Sequence, residues 1–391
     1  MKVAIVHDWL TTWAGAEKAL AELLACYPQA EIFTTVNFLP VEAIPSLAGR
    51  KIHTSFIQRL PGARKHYRRY LPLMPLAVEQ FDLKGFDLIL SSSHAVAKGV
   101  ISDPGSLHVC YCYSPMRYAW DMQHQYLRQS GNEKGLISGI MRWQLHRLRQ
   151  WDYISAQRVD HFVAISHYIK RRIETFYRRE SSVIYPPVDV EKFRNDRPRE
   201  AFYLTASRMV PYKRIDLVIE AFNRTPERQL VVIGDGPDYQ ALKAKAGPNV
   251  TLMGYQPDSV LINHLERTRA FVFMAEEDFG ILPVEAQAAG APVIGYGVGG
   301  MRETINESAS GLFVRSQSVE ALLETLTQFE DQQTATANVG EGEQPFSPAV
   351  CRRNAVRFAS ANFRQAIERF VQQQMANKSA QESTVSLVDS Q

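Results

Sequence analysis

Residues 275–295 read AEEDFGILPVEAQAAGAPVIG, in which the acids Glu277 and Glu285 are separated by seven residues. Pro283 near a helix start, Gly290 as a stop and Pro292 just beyond it bracket one short helix. Ahead of it, RAFVFM (269–274) reads as a buried strand, and Val293 and Ile294 begin another. Glu277 is therefore expected on a loop at the carboxyl end of a strand, with Glu285 in the first turn of the next helix. In open α/β sheets that crevice takes ligands. The amides of Phe279, Gly280, Ile281 and Leu282 would form a helix N-terminus able to hold a diphosphate. Carboxylates on either side would grip hydroxyl groups, and phosphate plus sugar hydroxyls means a nucleotide sugar. An isolated pair of glutamates is more often a solvated helix face. Here the small and apolar flanks, Ala286, Ala288 and Ala289 among them, set the carboxylates against a buried background.

Outward from that stretch, short apolar runs at 3–6, 32–36, 88–90, 107–112 and 162–164 alternate with helical patterns, the first at 16–26. That alternation predicts a parallel sheet covered on both faces. Pro186-Pro187 interrupts the chain, and the cycle restarts: strand 202–206, helix 214–222, strand 230–233, helix 237–246, strand 250–253, helix 259–268, strand 270–274. The reading is α/β, in two doubly wound domains. One covers 1–185 and the other 187–350. Apolar residues at helical spacing predict a terminal helix at 352–373. Residues 331–349 read as a polar loop, and 375–391 carry too little apolar content to fold, which predicts a disordered tail.

The motif set resembles the retaining GT-B glycosyltransferases of family 4. It comprises Glu277-x₇-Glu285 in its FG-x-x-PVEA context, VVIGDGP (231–237), LTASRMVPYK (204–213), VIYPPVDVEKF (183–193) and WAGAEKAL (13–20). YCYSPMRYAWD (111–121) is similar to a segment of a subgroup made up mostly of bacterial polysaccharide mannosyltransferases. The resemblance spans residue 1 to about 371. It implies the GT-B fold, two facing Rossmann-like domains with a C-terminal helix crossing back to the first. It also implies retaining, metal-independent transfer of a sugar from a nucleotide to a glycan or lipid-linked acceptor, without a cofactor. Mannose from GDP-mannose is the expected donor chemistry. The alternatives are a UDP- or ADP-sugar, or a non-catalytic sugar-nucleotide-binding subunit.

Transfer needs cations at the departing diphosphate. By resemblance Arg208 and Lys213 supply them, Glu277 meets the transferred sugar and Glu285 binds the ribose. Gly15 lets backbone approach the donor, and Gly234, in the GDG turn, lies near the nucleotide. An Arg/Lys pair or a strand-end GDG alone would be an exposed helix start and a tight turn. Tyr113 stands where many relatives carry a histidine that meets the sugar. Tyr113, Arg117 and His94 are the candidate sugar or acceptor contacts, although a lone histidine is more often structural.

Composition is ordinary for a globular chain of 391 residues, 45% hydrophobic and 22% charged, with net charge +3. The charge is uneven: residues 1–185 hold 23 Lys/Arg against 15 Asp/Glu, the remainder 21 against 26. Between Ala43 and Val78 there is no acid, while Arg64, Lys65, Arg68 and Arg69 cluster beside Tyr67, Tyr70 and an apolar run. That pattern suits an anionic membrane surface; the plainer alternative is a solvated basic helix. No nucleic-acid motif accompanies it, so nucleic acid is not an expected partner. Four scattered cysteines suit a reduced cytoplasm, and the Cys110-x-Cys112 pair lacks the second pair a zinc site needs. No signal peptide or membrane span is legible. The expected location is cytoplasmic, peripheral on the inner face of the plasma membrane. A dinucleotide dehydrogenase is not expected, because WAGAEK, not GxGxxG, follows the first strand.

Overall fold

A computed structural model of the chain describes residues 1–129, 131, 134–337 and 344–388. It divides into two compact units, one of Met1–Pro187 together with the chain from Phe363 onward, the other of Val188–Asn362.

The first unit is built on a parallel sheet. Its strands are β1 (Val3–His7), β2 (Glu31–Thr34), β3 (Ile52–Thr54), β4 (Leu88–Ser93), β5 (Leu107–Cys112), β6 (His161–Ala164) and β7 (Ser181–Val183). They lie in the order β3-β2-β1-β4-β5-β6-β7. Every residue of β1, β4 and β5 is buried, as a central strand covered on both faces requires. The helix Gly15–Cys26 follows β1 and buries Ala19, Leu20, Leu23 and Leu24, neighbours on one helical stripe. The helix Leu136–Ala156 differs: Leu136, Ile137, Ile140 and Trp143 are exposed, Leu136 to 83%.

The second unit repeats the scheme with β8 (Tyr203–Ala206), β9 (Leu230–Ile233), β10 (Val250–Gly254), β11 (Ala270–Phe273), β12 (Val293–Tyr296) and β13 (Gly311–Val314), in the order β10-β9-β8-β11-β12-β13. In both sheets the order runs outward from the first strand in one direction and then jumps to the other side. This is the doubly wound arrangement, with its switch point between β1 and β4 in one sheet and between β8 and β11 in the other. Two such sheets are the GT-B fold.

Several sequence expectations change. The unforeseen strands β3, β7 and β13 each lie at a sheet edge; β3 (IHT) and β7 (SSV) carry one apolar residue each and do not stand out, whereas the apolar run of β13 (GLFV) was legible. The polar stretch from 331, read as a loop, continues the helix Val319–Ala337. Arg269 Nε donates to Gln333 Oε1 there at 2.9 Å, a tertiary contact invisible to composition; residues 338–343 of that reading lie outside the described residues.

The single terminal helix at 352–373 is in fact two, Pro348–Val356 and Ser360–Val388. The break has a cause: Val188 N donates to Phe358 O at 2.8 Å and Ser360 N to Val188 O at 3.2 Å, which pulls the backbone into a bridge. The disordered tail at 375–391 is also corrected, since the second helix runs to Val388. Lys378 Nζ anchors it on the carbonyls of Pro104 and Ser106, at 3.0 and 2.5 Å; residues 389–391 lie outside the described residues.

Candidate functional site

In the second unit the chemistry gathers at the switch point. The loop after β8 carries Arg208 and leads into the turn Pro211–Lys213; the loop after β11 carries Glu277 and leads into the helix Ile281–Ala288. Lys213 Nζ donates to Glu277 Oε1, with the two side chains only 15% and 20% exposed. The ammonium also lies 5.2 Å from the ring centroid of Tyr212 and 5.4 Å from that of Phe273, a setting that favours a cation. Arg208 is exposed, and its guanidinium engages no carboxylate among the described residues. Glu285, nearly buried on the helix, accepts from Lys192 Nζ at 3.4 Å. Lys192 was missed in the sequence, although it lies inside the VIYPPVDVEKF run; nothing local marks a lysine that reaches 93 residues along the chain.

Two glycines fix these loops. A Cβ on Gly234 (φ +138°) would stand 1.9 Å from Ser207 O, beside Arg208. One on Gly300 would stand 2.4 Å from Asp278 O and 2.5 Å from Phe279 Cα, and Gly300 N donates to Glu277 O at 2.8 Å. Only a residue without Cβ allows such contacts. Gly234 thus sets the position of the Arg208 loop, and Gly300 that of the Glu277 loop. The side chain of Phe279 is buried against Phe358, with ring centroids 5.3 Å apart, so Phe279 can meet a ligand only through its backbone. Gly280 starts the helix in the left-handed region, no side chain caps that end, and Ile281 and Leu282 are half-buried in its first turn.

The first unit places a second polar group at its own switch point. Asp8 follows β1 and is fully buried; His94 follows β4. Asp8 Oδ2 accepts from His94 N at 2.6 Å and Ala95 N at 3.0 Å, and Oδ1 from Val96 N at 2.6 Å and Ala97 N at 2.7 Å. His94 Nδ1 lies 2.9 Å from Asp8 Oδ2. Burial alone would push the Asp8 carboxyl up, but His94 beside it outweighs burial and holds it well below the usual carboxylate range. Burial likewise opposes the charge on His94, and Asp8 and Glu17 overcome it against Arg68, raising the imidazole above its ordinary value.

Behind this pair runs a chain of hydrogen bonds with one direction. Ala16 O only accepts, so Tyr113 OH donates to it at 3.0 Å; Ser92 Oγ then donates to Tyr113 OH at 2.9 Å, and His7 Nδ1–H to Ser92 Oγ at 2.9 Å. Glu17 Oε2 accepts from Ala14 N at 2.9 Å, so the turn before Gly15, the first residue of its helix, is held from both ends. The Tyr113 hydroxyl is thus engaged on both sides. Arg117 is half-buried, with Nη1 4.0 Å from Met122 Sδ. Its neighbours anchor structure: Trp120 Nε1 donates to Asp152 Oδ2 at 2.7 Å, and Asp121 is forked by Arg172. Asp8, Glu17 and Ser92 carry no sequence signal beyond lying at strand ends and in a first helical turn. Arg64, Lys65, Arg68 and Arg69 are all exposed. Among the described residues no cluster of His, Cys, Asp and Glu is placed to hold a metal ion, and no helix is long and apolar enough to cross a membrane.

Comparison with known proteins follows the division of the chain. A family model described as Glycosyltransferase Family 4 matches residues 13–192, and one described as Glycosyl transferases group 1 matches residues 189–344. Among curated proteins, an uncharacterized glycosyltransferase of Methanocaldococcus jannaschii is 25% identical over 193 residues, covering 48% of this chain and 54% of that protein. A GDP-mannose-dependent monoacylated alpha-(1-6)-phosphatidylinositol monomannoside mannosyltransferase of Corynebacterium glutamicum is 30% identical over 213 residues, 46% of this chain and 56% of that protein. The chain thus spans little more than half the length of these relatives. Among solved structures, Anabaena HepE in complex with UDP is similar with a TM-score of 0.69 and 14% identity, over 95% of this chain and 100% of that one. Sucrose-phosphate synthase of Thermosynechococcus elongatus has a TM-score of 0.72 at 15% identity, over 96% and 100%. At those identities the structural likeness concerns the fold.

Proposed function

We propose, from the premise that this chain belongs to the family 4, group 1 glycosyltransferases, that it is a retaining, metal-independent enzyme moving mannose from GDP-mannose to a lipid-linked or polysaccharide acceptor. The observation that carries the reading is the Lys213–Glu277 pair at the switch point of the second sheet, with exposed Arg208 on the loop after β8. The two cations would take the diphosphate and its developing charge, a role of several kcal/mol in a partly dehydrated site. Glu277, held in place by Lys213, would face the transferred sugar, and Glu285 the ribose. The first-turn amides of Ile281–Ala288 would add their dipoles at the phosphates.

GDP-mannose is favoured because the Corynebacterium relative bears that donor in its description. A UDP-sugar is the second reading, on the strength of HepE, whose structure contains UDP. Acceptor delivery by an anionic membrane completes the proposal: exposed Arg64, Lys65, Arg68 and Arg69 offer the charge, and exposed Leu136, Ile137, Ile140 and Trp143 an apolar surface for the interface. Thermal shift against GDP, UDP and ADP tests the donor side, since the preferred nucleotide raises Tm by linkage. A chain whose Tm none of the three moves is not a nucleotide-sugar enzyme.

A further inference from the structure

The two units carry matching architecture, and each has a charge pair across its switch point: Lys213–Glu277 in one and Asp8–His94 in the other. The second has no task in donor binding as proposed above, yet its construction is elaborate. One fully buried carboxylate takes four backbone amides and an imidazole nitrogen, while the ring it holds is 33% exposed. With Nδ1 turned to Asp8, the remaining nitrogen is Nε2, which has no hydrogen-bond partner among the described residues. The half-buried indole of Trp9 meets the same ring edge-on, centroids 4.7 Å apart, and packs on Tyr67 at 5.5 Å. The hydroxyl of Tyr113, whose ring lies 6.3 Å from that of His94, is already used by Ser92 and Ala16.

A fixed polar donor beside an aromatic ring is the combination that recognises a pyranose: the nitrogen takes a hydroxyl and the ring packs against C–H groups. We infer that His94, positioned by Asp8, hydrogen-bonds a hydroxyl of the acceptor sugar through Nε2, while Trp9 packs against that sugar. The inference rests on the glycosyltransferase reading only in calling the sugar an acceptor. Asp8 is a positioning residue, since it acts through His94. The charged and titratable groups around the ring are Asp8, Glu17, Arg68, His7 and Tyr113. Because Asp8 and Glu17 favour the imidazolium, Nε2–H donates a charge-assisted bond below the His94 pKa; above it neutral Nε2 only accepts from the hydroxyl, a weaker bond.

The test uses the whole chain, with histidines and tryptophans labelled with ¹⁵N, titrated with methyl α-D-mannopyranoside and with methyl α-D-glucopyranoside. At least one glycoside should shift the His94 and Trp9 side-chain signals saturably. His94→Gln, at a third-exposed position where folding is preserved, should weaken that affinity about 5–10-fold, the loss of one hydrogen bond. Wild-type affinity should fall as pH rises through the His94 pKa, and Asp8→Asn should move that fall to lower pH. If Asp8→Asn does not fold, the wild-type pH dependence and His94→Gln decide. Absence of any saturable shift, unchanged affinity in His94→Gln, or pH-independent binding each overturns the inference. Nucleotide thermal shift is a separate readout. A chain that binds a nucleotide but neither glycoside keeps the donor reading and loses this one; a chain that binds a glycoside but no nucleotide keeps this one and loses the donor reading.

Discussion

Lys213→Met should separate what the Lys213–Glu277 pair does for the fold from what it does for transfer. The pair is 15% and 20% exposed, between a surface bridge worth under about 1 kcal/mol and a buried one whose rupture costs about 3–5 kcal/mol. Solvent screening discounts the upper figure, so the expected loss is about 1–2 kcal/mol. In a unit of this size that lowers Tm by roughly 2–8 °C. Transfer should fall much further, about 10²–10³-fold, because the ammonium is removed from the charge developing on the diphosphate. Adding Glu277→Gln removes the carboxylate left unpaired, so the double variant should regain about 1 kcal/mol of stability. Its transfer rate should not recover, since each group is assigned its own contact with the donor. The assay pairs calorimetry with sugar transfer from the nucleotide sugar whose base gives the largest thermal shift. If Lys213→Met transfers within about threefold of wild type at saturating donor, the pair is only a structural tie and its catalytic assignment is refuted.

Three further outcomes can be checked. Gly300→Ala forces a Cβ to within 2.4 Å of Asp278 O, backbone that cannot step aside, and should cost about 1–3 kcal/mol and weaken nucleotide binding; an unchanged Tm would show that the loop yields. His94, its pKa raised on folding, adds stability that is fully present below the unfolded value of about 6.5 and lost as pH rises through the folded one. Asp8, its pKa lowered, adds stability that is present above about 3.9 and lost as pH falls towards its folded value. The Tm gap between wild type and His94→Gln should therefore be widest from about pH 4 to 6.5 and close at alkaline pH, and a gap that widens there contradicts the pairing. Charge reversal of Arg64, Lys65, Arg68 and Arg69 to Glu should release the chain from anionic liposomes in flotation, each cation contributing roughly 1 kcal/mol at low salt; a wild type that ignores such liposomes points to a soluble acceptor.

The sequence showed the central strands because burial on both faces leaves continuous apolar runs, as at 107–112 and 230–233, whose limits match β5 and β9 residue for residue. The edge strands β3 and β7 escaped it because each carries a single apolar residue, and the helix beyond Met375 escaped because contacts such as the two Lys378–carbonyl bonds leave no mark on composition. In the second unit, Arg208, Lys213, Glu277 and Glu285 announced themselves by motif. The direct pairing of Lys213 with Glu277, and of Lys192 with Glu285, is a property of three-dimensional approach. Asp8 and His94 are 86 residues apart, and the four amides that make Asp8 a structural anion come from backbone, which no side-chain pattern reveals.

The return of the chain to its first unit has a consequence for the order in which the protein can be made. The second unit is continuous, Val188–Asn362, whereas the first lacks its final helix until the ribosome has passed Phe363. That helix seals apolar surface: Phe363, Ile367 and Val371 are buried, and the Phe363 ring packs on Tyr111 at 5.4 Å. During synthesis the first-made half therefore waits, greasy and unfinished, while the later half closes, and the nascent chain is most in need of a chaperone across that interval. A chain stopped near Ser360 should yield a folded second unit joined to a sticky first one.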